Sequence, residues 1–307
     1  MNKNQTIIIS GPTAVGKTSV AVNLCKKIGG EIISADSRQV YKYLDIGTNK
    51  EGLLDKNVRR TDNINQYLTD IINPNEKYNA KNFETDAQKF EELILKKNKV
   101  PVIVGGTGLY IKAFLYGLDD LPDADEKIRE EIEFVIKEKG LEYVYNLLYK
   151  VDPVCAEKNK GNTQRITRAY EIYRITGKTM TELLETGIKI KKNKRFKHYV
   201  LIKDRQTLYA TINERCKNMV ESGMIEETEK VLQMGYKPDC YGLTGVGYKH
   251  IIKYLNNELT KEELIDSFAQ DTRQYAKRQI TWFTRQKDVN VINIDNVSIN
   301  DILNKIM

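Results

Sequence analysis

The stretch Thr6–Thr18, TIIISGPTAVGKT, decides the fold. Thr6–Ser10 is a short apolar run with the character of a buried strand. The octet Gly11-Pro12-Thr13-Ala14-Val15-Gly16-Lys17-Thr18 follows it and matches G-x-x-x-x-G-K-[ST]. From Lys17 to about Lys27 the pattern predicts a helix. In a strand, Gly-rich turn and helix start of this kind, backbone N–H groups turn inward around a phosphate, and the helix N-terminus adds partial positive charge. Lys17 would reach the outer phosphate oxygens, and the Thr18 hydroxyl would ligate Mg²⁺. The motif specifies a phosphate ligand, not a reaction.

Working outward, Glu31–Ser34 reads as a second strand, ending at Ala35-Asp36-Ser37. Val100–Val104 reads as a third, closing with Gly105-Gly106-Thr107-Gly108. Strands alternating with helices predict a P-loop NTPase-like α/β fold, a parallel sheet flanked by helices. Ligands of such sheets sit at the carboxyl ends of the strands, which brings Asp36 and Thr107 toward the phosphate site. A carboxylate there binds Mg²⁺ or accepts a proton; the alternative is that Asp36 caps the following turn. Nucleoside triphosphatases usually place an Asp at the end of a later apolar strand to help hold Mg²⁺. Val104 is followed by glycines instead, which argues against ATP hydrolysis.

Between Asp119 and Lys197 the strand pattern fades. Helices are predicted over Asp123–Lys139, Leu141–Tyr149 and Asn162–Thr176, the last closed by Gly177. This stretch, residues 119–197, reads as a helical insertion in a core made of residues 1–118 and 198–307. The strand pattern returns at Tyr199–Ile202. A helix follows over about Gln206–Ser222, with Leu208, Ile212, Cys216 and Met219 on one face. A long helix from Thr260 to about Thr284 opens on the capping box Thr260-Lys261-Glu262-Glu263. Phe268, Thr272, Ala276, Ile280 and Phe283 lie on its apolar stripe, and Lys277, Arg278 and Arg285 lie opposite. Val289–Ile294 is the last predicted strand.

Composition narrows the chemistry. Of 307 residues, 40% are hydrophobic and 30% charged, which is globular rather than disordered. No apolar run nears the roughly 20 residues of a membrane span, and the N-terminus has no leader-like stretch. The four cysteines stand apart without a CxxC, so neither a zinc ribbon nor a disulfide framework fits. A reduced, cytoplasmic protein is expected. With only His198 and His250 present, multi-histidine metal sites are excluded. The net charge of +7 is local: residues 158–197 hold 12 basic and 3 acidic residues, residues 272–287 hold 5 basic and none acidic, and the remainder is acidic on balance. Such concentration suits a polyanion, nucleic acid first; the alternative is a set of solvated helix faces.

Ala35-Asp36-Ser37-Arg38-Gln39-Val40-Tyr41, beside this P-loop, resembles the tRNA dimethylallyltransferase family in its bacterial form, also called tRNA isopentenylpyrophosphate transferase. The resemblance continues through Leu44–Thr48, Gly105–Tyr110, NTQRITRAYE at Asn162–Glu171, Arg174–Gly177, GLTGVGYK at Gly242–Lys249 and QYAKRQITW at Gln274–Trp282. It spans most of the chain in order. Two stretches depart from the family pattern. Gln66-Tyr67-Leu68-Thr69-Asp70 stands where a His pair precedes Leu-Ile-Asp, and Asn49-Lys50-Glu51 stands for Ala-Lys-Pro.

The resemblance implies transfer of a dimethylallyl group from dimethylallyl diphosphate to N6 of adenosine 37, beside the anticodon, in tRNAs reading codons that begin with U. The P-loop then holds a diphosphate that departs. By resemblance Asp36 is the base, Arg215 reaches the diphosphate and Thr107 holds the substrate in a channel. Asp36, Ser37, Arg38 and Gln39 would contact tRNA, as would Arg129, Gln164, Arg165, Ile166, Thr167, Arg168, Lys277 and Arg278; Arg273 and Gln279 would add contacts or hold the channel wall. The expected cofactor is Mg²⁺ and the expected partners are the tRNA anticodon stem-loop and dimethylallyl diphosphate, with no membrane and the protein a monomer. Three other readings stay open: prenylation of free AMP, a small-molecule kinase with Asp36 on Mg²⁺, and an RNA-binding protein switched by ATP.

Overall fold

The computed structural model describes residues 5–56, 58–119, 121–186 and 196–307. The chain divides into two compact units, residues 1–115 with 192–307, and residues 116–191.

The first unit is built on an eight-stranded sheet. Its strands are β1 (Thr6–Ser10), β2 (Gly30–Ser34), β3 (Leu53–Asp55), β4 (Val58–Thr61), β5 (Ile64–Tyr67), β6 (Val100–Gly105), β7 (Phe196–Ile202) and β8 (Asn290–Asn293), in the order β3-β4-β5-β2-β6-β1-β7-β8. From β5 to β8 in that order all neighbours are parallel; at the edge β3 pairs with β4 and β4 with β5, both antiparallel. The sheet is thus parallel apart from a three-stranded antiparallel meander, β3-β4-β5, at one edge that periodicity did not reveal. β1 lies between β6 and β7 with all five residues buried, as expected of a central strand covered on both faces. Strand β7 begins at Phe196, two residues inside the stretch assigned to the insertion. Of the basic segment 158–197, residues 187–195 lie outside the described residues.

The helices of this unit are α1 (Lys17–Ile28), α2 (Ala80–Lys96), α3 (Gly108–Tyr116), then, after the second unit's α4 to α8, α9 (Arg205–Met219), α10 (Ile225–Gln233), α11 (Tyr248–Leu255), α12 (Lys261–Thr284) and α13 (Ile299–Ile306). The predicted Gln206–Ser222 helix does not simply stop. It passes through a π-type turn, Val220–Met224, where Gly223 has φ 102°, into α10. α12 has the capping box expected of it: Thr260 accepts from Glu263 N–H, and the Glu263 side chain accepts from Thr260 N–H.

The second unit is helical: α4 (Glu126–Lys139), α5 (Leu141–Val151), α6 (Pro153–Lys158), α7 (Thr163–Thr176) and α8 (Met180–Thr186). Ile132, Val144, Leu148, Ala156, Ile166 and Ala169 form its core. Asn162 caps α7, and Gly177 ends it in the left-handed region as predicted. Among the described residues, no helix is long and apolar enough to cross a membrane.

Candidate active site

β1 delivers the loop Gly11–Gly16 to the carboxyl end of the sheet, and α1 starts directly behind it. Gly11 has φ 144°, and a Cβ there would stand 2.3 Å from the Leu201 carbonyl oxygen on β7, so only glycine lets the loop leave the sheet this closely. Gly16, with φ 92°, turns the chain into the helix, whose start has no side-chain cap. The N–H groups of its first turn are left for a ligand. The loop opens on a cavity of about 350 Å³ lined by residues of the first unit alone.

Lys17 lies in this cavity with Nζ donating to the Pro12 carbonyl at 2.6 Å. Burial lowers its pKa to about 8; Asp36 opposes the shift and Arg215 adds to it. Arg215, on α9, reaches the same cavity, and burial depresses its guanidinium below the ordinary value against the opposing pull of Cys216, Asp36 and Glu51. Neither cation makes a carboxylate ion pair within 4 Å among the described residues. Two desolvated, mutually repelling cations beside a phosphate loop constitute an anion site.

Asp36 lines the cavity from the end of β2, and its Oδ1 accepts from Arg38 N–H at 2.8 Å, leaving Oδ2 toward the cavity uncommitted by any hydrogen bond among the described residues. Tyr275 of α12 lines the wall; burial and the Asp36 charge push its hydroxyl up to about 12, so it stays a donor. Gln39 spans the wall, bound to Ser34 Oγ and to the Thr48 and Asn49 carbonyls. The Thr107 hydroxyl accepts from Ser37 N–H at 2.9 Å and donates to Ser37 Oγ at 3.3 Å. It braces the Asp36–Ser37 turn and is not among the cavity-lining groups. Arg38 donates to the Tyr241 carbonyl and to Thr244 Oγ1.

The remaining wall is apolar, formed by Cys216, Met219, Val246 and Phe268. Sequence periodicity assigned Cys216, Met219 and Phe268 to core stripes. They do pack, but they also face the cavity, and only the meeting of α9 with α12 makes them a wall.

Sequence reading also missed what holds the loop Asp45–Glu51. The Glu227 carboxylate accepts the N–H groups of Asp45, Ile46 and Gly47 at 2.6, 2.7 and 3.1 Å, and the Tyr248 hydroxyl at 2.7 Å. Lys50, its side chain fully buried, bridges Asp45 and Asp70, and Arg59 bridges the same two carboxylates. Burial works against ionisation of Asp45, but Lys50 and Arg59 hold its carboxyl below the ordinary value. Of the residues that depart from the family pattern, Asn49, Glu51 and Gln66 line the cavity, and the Tyr67 hydroxyl donates to Glu31 Oε2 at 2.7 Å; Lys50 and Asp70, which keep the pattern, are ion-pair partners.

In the helical unit, Gln164 and Arg165 are exposed at the start of α7. Arg129 and Arg168 both pair with Glu171, which is fully buried. Thr167 is half-buried. Ile166, expected at the tRNA surface, is instead 0% exposed and belongs to the core of the unit, because it shares the inner face of α7 with Ala169. Lys277 and Arg278 are exposed on α12, whereas Gln279 is buried on its inner face.

The donor set near the loop is all oxygen: the Thr18 hydroxyl and the Asp36 carboxylate line one cavity. Among the described residues no group of three or more His, Cys, Asp or Glu side chains could hold a metal. This suits a hard divalent cation that takes one or two protein ligands and completes its shell with phosphate oxygens and water. It does not suit a caged structural metal.

The chain is similar to known proteins over nearly its full length. A family model described as IPP transferase matches residues 39–286, beginning just after Asp36. A tRNA dimethylallyltransferase of Endomicrobium trichonymphae is 53% identical over 94% of this chain and 96% of that protein. One of Clostridioides difficile is 38% identical over 100% and 97%. The crystal structure of the full-length tRNA isopentenylpyrophosphate transferase from Bacillus halodurans superposes with a TM-score of 0.71 at 35% identity, covering 99% of this chain and 95% of that one. On its matched span, its full-length relatives and its fold, this chain belongs to the IPP transferase family.

Proposed function

We propose that this protein transfers a dimethylallyl group from dimethylallyl diphosphate to tRNA. The acceptor is N6 of adenosine 37, in tRNAs that read codons beginning with U. The observation that carries the reading is the composition of one cavity: a phosphate loop with Lys17, a second desolvated cation in Arg215 of α9, the Asp36 carboxylate, and the apolar side chains of Met219, Val246 and Phe268. A short hydrocarbon on a diphosphate matches both the charged and the apolar lining.

As the N6 lone pair forms the C–N bond, the bond from the allylic carbon to the diphosphate oxygen breaks, and its electron pair leaves with the diphosphate. Lys17, Arg215 and the amides of the loop bind the departing anion where its charge develops. The Asp36 carboxylate takes the proton that N6 sheds. That acceptance matters because the lone pair of an aromatic amine is delocalised and its nitrogen is a weak nucleophile. A Mg²⁺ ion held by Thr18, with Asp36 near it, would supply further charge neutralisation at the diphosphate. The acceptor base must leave its stack to enter the cavity. Ser37, Arg38 and Gln39 edge the mouth of that cavity. Exposed Gln164, Arg165, Lys277 and Arg278 would contact the tRNA backbone or loop, with Arg129, Thr167 and Arg168 behind them. The four cysteines are all free and buried, which fits a reduced cytoplasmic setting, and the protein acts as a monomer in this reading.

A paired transfer assay tests the proposal. Radiolabelled dimethylallyl diphosphate and Mg²⁺ are incubated with the protein and either unmodified tRNA or AMP. Label in tRNA, lost when adenosine 37 is replaced, is the expected result. Label in AMP alone would move the acceptor to a free nucleotide, and label in neither would overturn the reading.

A further inference from the structure

Of the two stretches that depart from the family pattern, Asn49-Lys50-Glu51 puts a charge where the pattern has proline. Glu51 lines the cavity of the phosphate loop together with Lys17, Thr18, Asp36 and Arg215. Its neighbours in the chain keep it there. Lys50 is fully buried and donates to the Tyr41 carbonyl at 2.6 Å as well as to Asp45 and Asp70. The Gly52 carbonyl accepts from Arg59 Nη1 at 3.0 Å. Gly52 itself has φ 81°, and a Cβ there would stand 2.1 Å from the Arg60 carbonyl oxygen. The backbone on either side is pinned, so residue 51 stays at the cavity.

The Glu51 carboxylate has no partner that neutralises it. It makes no ion pair within 4 Å among the described residues, and a long hydrogen bond of 3.5 Å reaches it from Asn49 Nδ2. Arg215 is likewise without an ion pair, and the two charges act on each other within the one cavity.

A carboxylate in an anion site opposes the anion. A diphosphate that arrives bare at Lys17 and Arg215 meets the repulsion of Glu51 as well as that of Asp36. A divalent cation reverses the sign, because it is held by oxygen donors on both sides, the protein's and the phosphate's. Thr18, Asp36 and Glu51 give the cavity one hydroxyl and two carboxylates for such an ion.

We propose that Glu51 is a metal-coupling residue: it weakens the binding of a bare diphosphate and strengthens the binding of one accompanied by a divalent cation, so that occupancy of this site follows the supply of the cation. The proposal rests on the reading that the cradle takes a diphosphate.

Calorimetric titration of the full chain with inorganic pyrophosphate, once in the presence of a chelator and once with excess Mg²⁺, tests it. The wild-type protein is expected to bind more tightly with Mg²⁺. Glu51→Gln should bind bare pyrophosphate more tightly and the Mg²⁺ form less tightly. The ratio of the two affinities should shrink by about tenfold, the size of an interaction between charges at a partly exposed site. Glu51 is exposed, so the variant should melt with the wild type, and Glu51→Ala should give the same shift. Glu214→Gln, on the same helix as Arg215 but outside this cavity, is the control for charge at a distance. A wild-type protein indifferent to Mg²⁺, an unchanged ratio in the two Glu51 variants, or an equal change in Glu214→Gln overturns the proposal. Failure of the wild-type protein to bind pyrophosphate in either condition would instead overturn the diphosphate reading beneath it.

Discussion

Removing the charge of Lys17 should stabilise the free protein while disabling its site. Burial lowers this ammonium from 10.5 to about 8. A shift of that size corresponds to about 3 kcal/mol at roughly 1.4 kcal/mol per unit, and partial solvent access to the side chain reduces it to about 2 kcal/mol. The sign follows from the direction. Below pH 8 both folded and unfolded chains carry the proton, and the folded state bears the full desolvation cost. Between about 8 and 10.5 the folded protein sheds the proton first, and the cost fades. Lys17→Met keeps the volume and removes the charge, but also removes the donor to the Pro12 carbonyl, at a cost of about 1 kcal/mol. The net expectation is a gain of about 1 kcal/mol at pH 7 that diminishes as the pH approaches 10. Urea unfolding of both proteins across that range measures it. The same variant should lose pyrophosphate affinity by more than tenfold, since an ion's worth of attraction in a desolvated site disappears. Calorimetry at pH 8 in two buffers of different ionisation enthalpy should show wild-type proton uptake on pyrophosphate binding, and less of it in Lys17→Met. A variant less stable than wild type at pH 7, or a difference that does not vary with pH, would refute the picture of Lys17 as a desolvated cation awaiting an anion.

Asp36→Asn should keep the hydrogen bond to Arg38 N–H and tRNA binding but lower turnover by about 10²–10⁴, measured by label transfer; parallel loss of tRNA affinity would make Asp36 a structural residue. Arg165→Ala should flatten the slope of log affinity for tRNA against log salt by about 1 without changing the melting temperature. Arg168→Ala should instead destabilise the helical unit by about 2 kcal/mol, because it strips one partner from buried Glu171; equal thermal stability of the two variants would contradict that division. Glu227→Ala removes the acceptor of three backbone N–H groups and should raise the KM for dimethylallyl diphosphate through a loosened Asp45–Glu51 loop, with stability lower by about 3 kcal/mol; an unchanged KM would show that the loop is held by Lys50 and Arg59 alone.

The features legible along the chain are those in which chemistry depends on neighbours in sequence. The strand, loop and helix from Thr6 to Ile28 are local, and so are the capping box at Thr260, the C-cap at Gly177 and the strand ends that carry Asp36 and Thr107. The meander β3–β5 was not legible, because its strands are short and polar and exist through pairing at a sheet edge. Helix α2 is amphipathic and capped by Asn79, a local feature carried by the residues themselves. Ile166 illustrates a limit of motif transfer: within Gln164–Arg168 the motif does not say which residue faces inward, whereas the packing of α7 on its neighbours does.

The cavity is different in kind. Thr13 and Gln279 are 266 residues apart, Asp45 and Glu227 182 apart, and each pair meets only in the folded chain, Thr13 after β1 against α12 and Asp45 against α10. The residue order alone determines a phosphate cradle, because G-x-x-x-x-G-K-T between a strand and a helix orients its own amides. It does not determine what that cradle accepts. That depends on which distant side chains occupy the remaining donors and walls: Arg215 as a second cation, Met219 and Phe268 as apolar lining, Gln279 on the Thr13 amide. Their placement follows from side-chain packing and desolvation between distant helices, and periodicity along a single helix carries no information about them.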